Sequence, residues 1–302
     1  MFTDGAGRIQ PIWAFVLSAL LSVVAFLVAG YTAAAVGGDH VLRFEALFRP
    51  ALALMLLAIF SWLLTVGNHV EDHRIAAQGL SLSPGWARQF GVGCAFGVLL
   101  VALAVIPLAT WEGLSFRTVL NSRSLARVAV VLAVVISGAL AEELMFRGYP
   151  FQRLTEGIGP AGAIAVFSVL FGVVHLSNPG ATVWGLVNTV AIGVLLSVLY
   201  LRTRALWMPW GFHFAWNAML GIVLGLPVSG LRLFNVAVHA TASGPKWLTG
   251  GNYGIEASAP GAVAIGIGLV IACKAPLRRL DNPAALLAAD DQLERELPDV
   301  TN

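Results

Sequence analysis

Charge is what this 302-residue sequence has least of. Asp, Glu, Lys and Arg together make up 11% of it, against 58% hydrophobic residues and a mean hydropathy of +0.82. A soluble domain carries about twice that charge fraction, and a single core could not hide so much apolar surface. The solvent is therefore lipid. A net charge of +2 gives no footprint for nucleic acid, and most arginines fall in the gaps between apolar runs, where membrane topology places them. Cysteine is nearly absent. Cys94 and Cys273 lie far apart in apolar stretches, which speaks against a disulfide framework or a thiolate metal cluster and leaves two small apolar residues. There is no internal repeat and no low-complexity tract.

Long apolar runs fill the space that charge leaves. A helix needs about 20 residues to cross a ~30 Å hydrocarbon core. By that criterion the predicted spans are 12–36, 46–67, 89–110, 126–154, 160–177, 182–201, 206–226 and 259–275. The expected fold is an all-α polytopic bundle of eight transmembrane helices, a single domain over residues 1–280. The acidic tail, 281–302, with Asp290, Asp291, Glu294, Glu296 and Asp299, is expected outside the bilayer with a solvated charged face. The run from Pro11 to Gly37 exceeds the h-region of a cleaved signal, about 7–15 residues, so it reads as a first transmembrane helix that acts as its own signal.

Orientation follows from the distribution of cations. With both termini cytoplasmic, that side holds Arg8, Arg74, Arg88, Arg153, Arg202, Arg204, Lys274, Arg278, Arg279 and Arg295, ten in all, against Arg43, Arg49, Arg117, Arg123, Arg127, Arg232 and Lys246, seven, on the other. The bias favours an N-in, C-in arrangement. Trp13, Trp62, Trp111 and Trp207 fall near span ends, as an interfacial belt requires.

An ionisable side chain inside a span costs about 2.5–3.5 kcal/mol on insertion scales, so each such residue needs a reason. Glu142, Glu143 and Arg147 fall within the fourth predicted span, His175 near the end of the fifth, and His213 with Asn217 in the seventh. Glu143 and Arg147 are four residues apart, share a helix face and can pair. Glu142 is turned about 100° away, so it is left to point into the bundle. His213 and Asn217 repeat the four-residue spacing, as do Phe171 and His175. At a rise of about 1.5 Å per residue the three helices can bring Glu142, His175 and His213 together, in a cavity expected to open to the cytoplasm.

Glu-Glu-Leu-Met-Phe-Arg-Gly (142–148), Phe-Gly-Val-Val-His (171–175) and His-Phe-Ala-Trp-Asn (213–217) occur in that order. They resemble the EExxxR, FxxxH and HxxxN motifs of the CPBP family, which comprises the CAAX prenyl endopeptidases and the bacteriocin-processing, Abi-type membrane proteins. The segment 248–258, Leu-Thr-Gly-Gly-Asn-Tyr-Gly-Ile-Glu-Ala-Ser, also resembles bacterial members. The likeness covers about 125–275. It implies intramembrane proteolysis of a membrane-associated, in some relatives lipidated, peptide or protein substrate in a bacterial cytoplasmic membrane. It further implies that Glu142 is the general base that activates water, that His175 orients or polarises it, that His213 and Asn217 stabilise the oxyanion, and that Glu143 and Arg147 lock the helix presenting Glu142. The family is often labelled metalloprotease. Glu and His could bind zinc or another divalent metal with water completing the site, yet no HExxH is present, and the resemblance leaves metal open.

Other readings compete. A lone intramembrane His is commonly a hydrogen-bonded bundle residue, and Glu143–Arg147 is a structural ion pair under any reading. His40, His69, His73 and His239 lie in predicted loops and receive no role. Ser137-Gly138 lacks the context of a serine rhomboid. A non-catalytic binding or immunity protein could use the same groove for docking. A proton-coupled transporter could use Glu142, His175 and His213 as a relay, but the inverted repeats of such folds are not visible here.

Overall fold

The computed structural model describes residues 2–3, 7–38, 40–68, 74–111, 113–118 and 121–279. The acidic tail, His69 and His73 lie outside the described residues. In chain order the helices are α1 (Pro11–Gly37), α2 (Val41–Asn68), α3 (Trp86–Thr110), α4 (Ser122–Arg147), α5 (Tyr149–Val174), α6 (Val183–Thr203), α7 (Trp207–Ala218), α8 (Lys246–Thr249) and α9 (Ala259–Lys274). Two short strands, β1 (Leu114–Thr118) and β2 (Val238–Ala242), pair antiparallel with Leu114 opposite Ala242. This ribbon, unforeseen in the connectors, is the exception to an otherwise all-α polytopic membrane protein.

Five stretches among the described residues are long and apolar enough to cross a membrane: Pro11–Gly37, Val41–Gly67, Trp86–Thr110, Ser124–Ser177 and Val183–Thr203. The fourth contains both α4 and α5. The seventh and eighth predicted spans are short helices, 12 residues in α7 and 16 in α9, with α7 continuing through a π turn at Met219–Val223. The fourth predicted span, 126–154, is corrected. It stops at Arg147: Gly148 leaves the helix at ψ −144°, a turn that would bring a Cβ 2.3 Å from the Leu144 carbonyl and so suits glycine, and Pro150 in the next turn favours starting a helix over extending one. A second break follows at Gly159, whose φ of 80° suits glycine, just before Pro160.

Helices meet through small residues. The buried face of α1 is Ala14, Ser18, Ser22, Ala25, Ala29, Ala33 and Gly37, while Leu20, Val23, Leu27 and Tyr31 are exposed. That inversion suits a bilayer, where large apolar side chains gain nothing by leaving the lipid and small ones let helix backbones approach. The buried hydroxyls are satisfied within the helix, Ser18 Oγ on the Phe15 carbonyl (2.8 Å) and Ser22 Oγ on the Ser18 carbonyl (2.7 Å). The closest approach is between α3 and α7. A Cβ on Gly93 would sit 2.2 Å from the Met208 carbonyl, one on Gly97 2.6 Å from that of Phe212, and one on Gly211 2.2 Å from that of Phe90.

The bundle has two distinct ends. At one, Ile9 N–H bonds the Gly67 carbonyl (2.9 Å), Leu206 N–H that of Gly79 (2.8 Å), the Gln89 amide that of Arg278 (2.8 Å) and the Arg202 guanidinium that of Ala272 (2.5 Å). The start of α5 joins this end, since the Gln152 amide donates to Ala77 O (3.1 Å) and Tyr200 OH (2.8 Å). At the other end lie the β ribbon, the α5–α6 turn and the 225–258 loop, tied by Ser243 N–H to Gly113 O (2.7 Å), Ala240 N–H to Gly225 O (2.9 Å) and Gly230 N–H to Tyr253 O (2.8 Å).

The glycine contacts make a direct prediction. Gly93→Ala is expected to destabilise the protein by about 1–3 kcal/mol through overpacking of backbone on backbone. Gly91→Ala, whose new methyl meets open space, leaves the unfolding midpoint in detergent unchanged. Equal midpoints for the two variants would refute the α3–α7 packing.

Candidate active site

The site begins with a buried ion pair. Glu143 Oε1 and Arg147 Nη1 lie 3.3 Å apart on α4 with both side chains fully buried. Such a pair is tolerated only where further partners offset desolvation. Arg147 Nη2 donates to the Gly193 carbonyl on α6 at 3.1 Å, and its guanidinium stands 4.6 Å above the Phe171 ring. Gly193 also lets α6 close on α5, since a Cβ there would lie 2.9 Å from Ser168 Cα. Glu143 Oε1 also accepts from His213 Nδ1 at 2.8 Å. Because a carboxylate accepts, the hydrogen on Nδ1 is assigned and Nε2 is the nitrogen left for the cavity. Glu143 thus locks two helices, α4 and α7, where the sequence pattern showed only one.

Glu142 faces the cavity with 29% of its side chain exposed. His213 Nε2 is 3.6 Å from its Oε2 and Arg49 Nη1 3.7 Å from its Oε1. Both separations exceed hydrogen-bond length, and Oε2 is buried without a hydrogen-bond partner. Arg49 comes from the third turn of α2, where its Nε bonds Glu45 Oε2 at 2.6 Å and its guanidinium stands 5.6 Å from the Phe234 ring centre. The sequence left Glu142 with no cation of its own; α2 supplies one.

His175 follows the last turn of α5, half-buried, with its ring 4.8 Å from that of Phe171. Its Nδ1 donates to the Phe171 carbonyl at 2.6 Å, which again reserves Nε2. Asn217 lies one turn beyond His213, half-buried on the same wall. Glu142, His175, His213 and Asn217 therefore line one cavity of about 650 Å³.

Glu256 lines it too, and the sequence reading gave it no role although it stands in the singled-out stretch 248–258. It is 4% exposed, accepts from the Trp216 indole at 3.0 Å and from the backbone N–H of Ser229, and its own carbonyl takes the Asn188 amide at 2.8 Å. Burial pushes its carboxyl above the ordinary range, while the N–H of Ser229, the Trp216 indole and nearby His175 pull the other way.

Most of the wall is apolar. Val23 and Phe26 of α1 and Leu170 and Val174 of α5 line the cavity and are exposed, an apolar wall between these helices. Its polar rim, Ser177, Asn178 and Ser229, belongs to the ribbon end of the bundle, opposite the start of α1 and the end of α9.

Residues 123–219 match the family model described as type II CAAX prenyl endopeptidase Rce1-like. This stretch is Rce1-like. The resemblance carried by the three motifs stands for this stretch. The chain is also 33% identical over 103 residues to the protein described as "Putative membrane peptidase YdiL" of Bacillus subtilis (strain 168), a match that covers 33% of this chain and 40% of that relative. No solved structure matches. The Rce1-like stretch contains Glu142, Glu143, Arg147, His175, His213 and Asn217, whereas Glu45, Arg49 and Glu256 lie outside it.

Metal ligation was left open by the motifs. Among the described residues no three His, Cys, Asp or Glu side chains group as a metal site would need, and no step is routed through an ion.

The buried pair carries a prediction. Glu143→Ala strands the Arg147 charge and is expected to cost about 3–5 kcal/mol. The double variant Glu143→Leu/Arg147→Met removes both charges and should recover much of that loss. A double variant as unstable as the single one, by unfolding midpoint in detergent, would show that the pair is not what holds α4.

Proposed function

We propose that this protein is an integral-membrane endopeptidase of a bacterial cytoplasmic membrane in which Glu142 activates water against a peptide bond of a membrane-associated substrate. The observation that carries the reading is one carboxylate with an unpartnered oxygen, Glu142 Oε2, in the same cavity as two imidazoles and an amide. The Rce1-like match over those residues supports the reaction class, and the apolar wall between α1 and α5 supports a substrate drawn from the membrane.

In this mechanism Glu142 takes a proton from water as the oxygen attacks the scissile carbonyl. Its Oε2, free of any hydrogen-bond partner, offers an acceptor for that proton inside the cavity. His175, fixed through Nδ1, offers Nε2 to orient that water. The negative charge that forms on the carbonyl oxygen is met by the Asn217 amide and by His213, which donates from Nε2 when doubly protonated. Donors held in a water-poor cavity stabilise such charge strongly. Glu142 then returns its proton to the leaving amine as the C–N bond breaks, which closes the proton cycle without a second acid. Glu143, through His213 and Arg147, keeps α4 and α7 in register for these steps.

A non-catalytic docking role is the second reading. The contacts of Glu142 with Arg49 and His213, at 3.7 and 3.6 Å, would equally suit a structural charge network.

Comparative proteomics of membranes carrying wild-type or Glu142→Ala protein distinguishes the two. A precursor is expected to accumulate with Glu142→Ala while the variant remains inserted and folded. On that precursor Asn217→Ala should slow cleavage about 10²–10³-fold, the typical effect of losing one oxyanion donor. Unaltered processing in Glu142→Ala membranes would end the peptidase reading.

A further inference from the structure

The cavity has a side, and the cations say which. At the end of the bundle where α1 begins and α9 ends stand Arg8, Arg74, Arg88, Arg153, Arg202, Arg204, Lys274, Arg278 and Arg279, nine among the described residues. At the ribbon end stand Arg43, Arg49, Arg117, Arg123, Arg127, Arg232 and Lys246, seven. Arg49 does not belong in the second count. Its side chain is only 16% exposed and is held between Glu45 and Glu142 on the cavity wall, so it serves the cavity and does not flank a loop. By the same measure Arg153, 14% exposed and paired with Glu156, leaves the first count; eight against six is the topogenic difference, and the connections that carry it are short, the condition under which positive charge sets orientation. Arg202 in the last turn of α6 and Arg204 at the start of the three-residue step to α7 form one cluster, and Lys274, Arg278 and Arg279 cluster where α9 ends.

A polar group of lining residues belongs to the other end of the bundle. His175, Ser177 and Asn178 come from the α5–α6 turn, Ser229 and Glu256 from the 225–258 loop. The deep part, by contrast, ends on Phe15 and Pro150 near the cation-rich end and is apolar.

We propose that the cavity opens on the non-cytoplasmic face of the membrane and takes a peptide segment that reaches it from that face: an exported chain still attached to the membrane, or the outward end of an inserted one. What happens to the segment there rests on the peptidase reading; the side from which it arrives does not.

Single-cysteine labelling tests the side without any cleavage. In a Cys94→Ala/Cys273→Ala background, Thr241→Cys places an exposed thiol in the ribbon and Arg279→Cys one beyond α9. With a membrane-impermeant maleimide, Thr241→Cys is expected to label in intact cells and Arg279→Cys only after permeabilisation. The reverse pattern, or equal labelling of both from outside, overturns the proposal. Trypsin added to intact spheroplasts gives a readout on the unaltered chain: cutting after the exposed Arg232 or Lys246 supports it, and cutting confined to the Arg278–Arg279 end overturns it. Precursors that accumulate with Glu142→Ala should carry their cleavage sites outside the cytoplasm; sites only on the cytoplasmic side would overturn the substrate half. Failure of any precursor to accumulate would count against the peptidase reading alone, since labelling and trypsin report on orientation by themselves.

Discussion

A carboxylate and a guanidinium without solvent exposure, Glu143 and Arg147, hold the helices that meet in the cavity. Two opposite charges in so apolar a place are not stable by mutual attraction alone, because desolvation of each costs several kcal/mol. They persist because every neighbouring element contributes something: α6 the Gly193 carbonyl, α5 the face of Phe171, and α7 the Nδ1–H of His213. Each of those contacts fixes a helix relative to α4. Structural stability and site geometry thus share one network, and the orientation of His213 that the proposed chemistry needs, with Nε2 toward the cavity, follows from a bond made for packing reasons.

The lipid solvent explains why so few polar residues suffice. Between helices there is no gain from burying large apolar side chains, so approach depends on glycine, alanine and serine. Gly93, Gly97 and Gly211 bring α3 against α7, and Gly193 brings α6 against α5. On α1 the large apolar side chains stay exposed while the small ones are buried. The cavity has an apolar wall between α1 and α5, with a small polar cluster at its ribbon end.

Periodicity made part of this legible in advance. The four-residue spacing of Glu143 and Arg147 reports their pairing directly, since neighbours at that distance share a helix face, and the apolar runs locate the helices because a bilayer tolerates little else. What sequence could not carry was contact between distant segments. Arg49 stands early in an apolar run and therefore looks like a loop-flanking charge; only the packing of α2 on α4 brings it to Glu142. Glu256 sits in a glycine-rich connector where a carboxylate is ordinarily solvated, and nothing local reveals that Trp216 and Ser229 will bury it. The break at Gly148 was hidden by hydrophobicity that continues across it, because an apolar run reports the solvent and not the backbone angle. The ribbon escaped notice for the opposite reason: five-residue strands carry too short a pattern to separate from loop.

Arg49 also shows how site and topology interact. Counted as a loop charge it weakens the difference between the two ends of the bundle; placed where the structure puts it, it strengthens that difference. The reassignment is physical, because a cation held by Glu45 at 2.6 Å and facing Glu142 contributes to the field inside the cavity rather than at the membrane surface. Neither Arg49 nor Glu256 lies in the Rce1-like stretch of 123–219, although both line the cavity beside residues that do. The matched segment therefore supplies the acid, the imidazoles and the amide, while the surrounding helices and the 225–258 loop supply the charges and hydrogen bonds around them. A relative that keeps the three motifs but replaces α2 or this loop would present the same reacting groups in a different field, and its preference for substrate would be expected to differ accordingly.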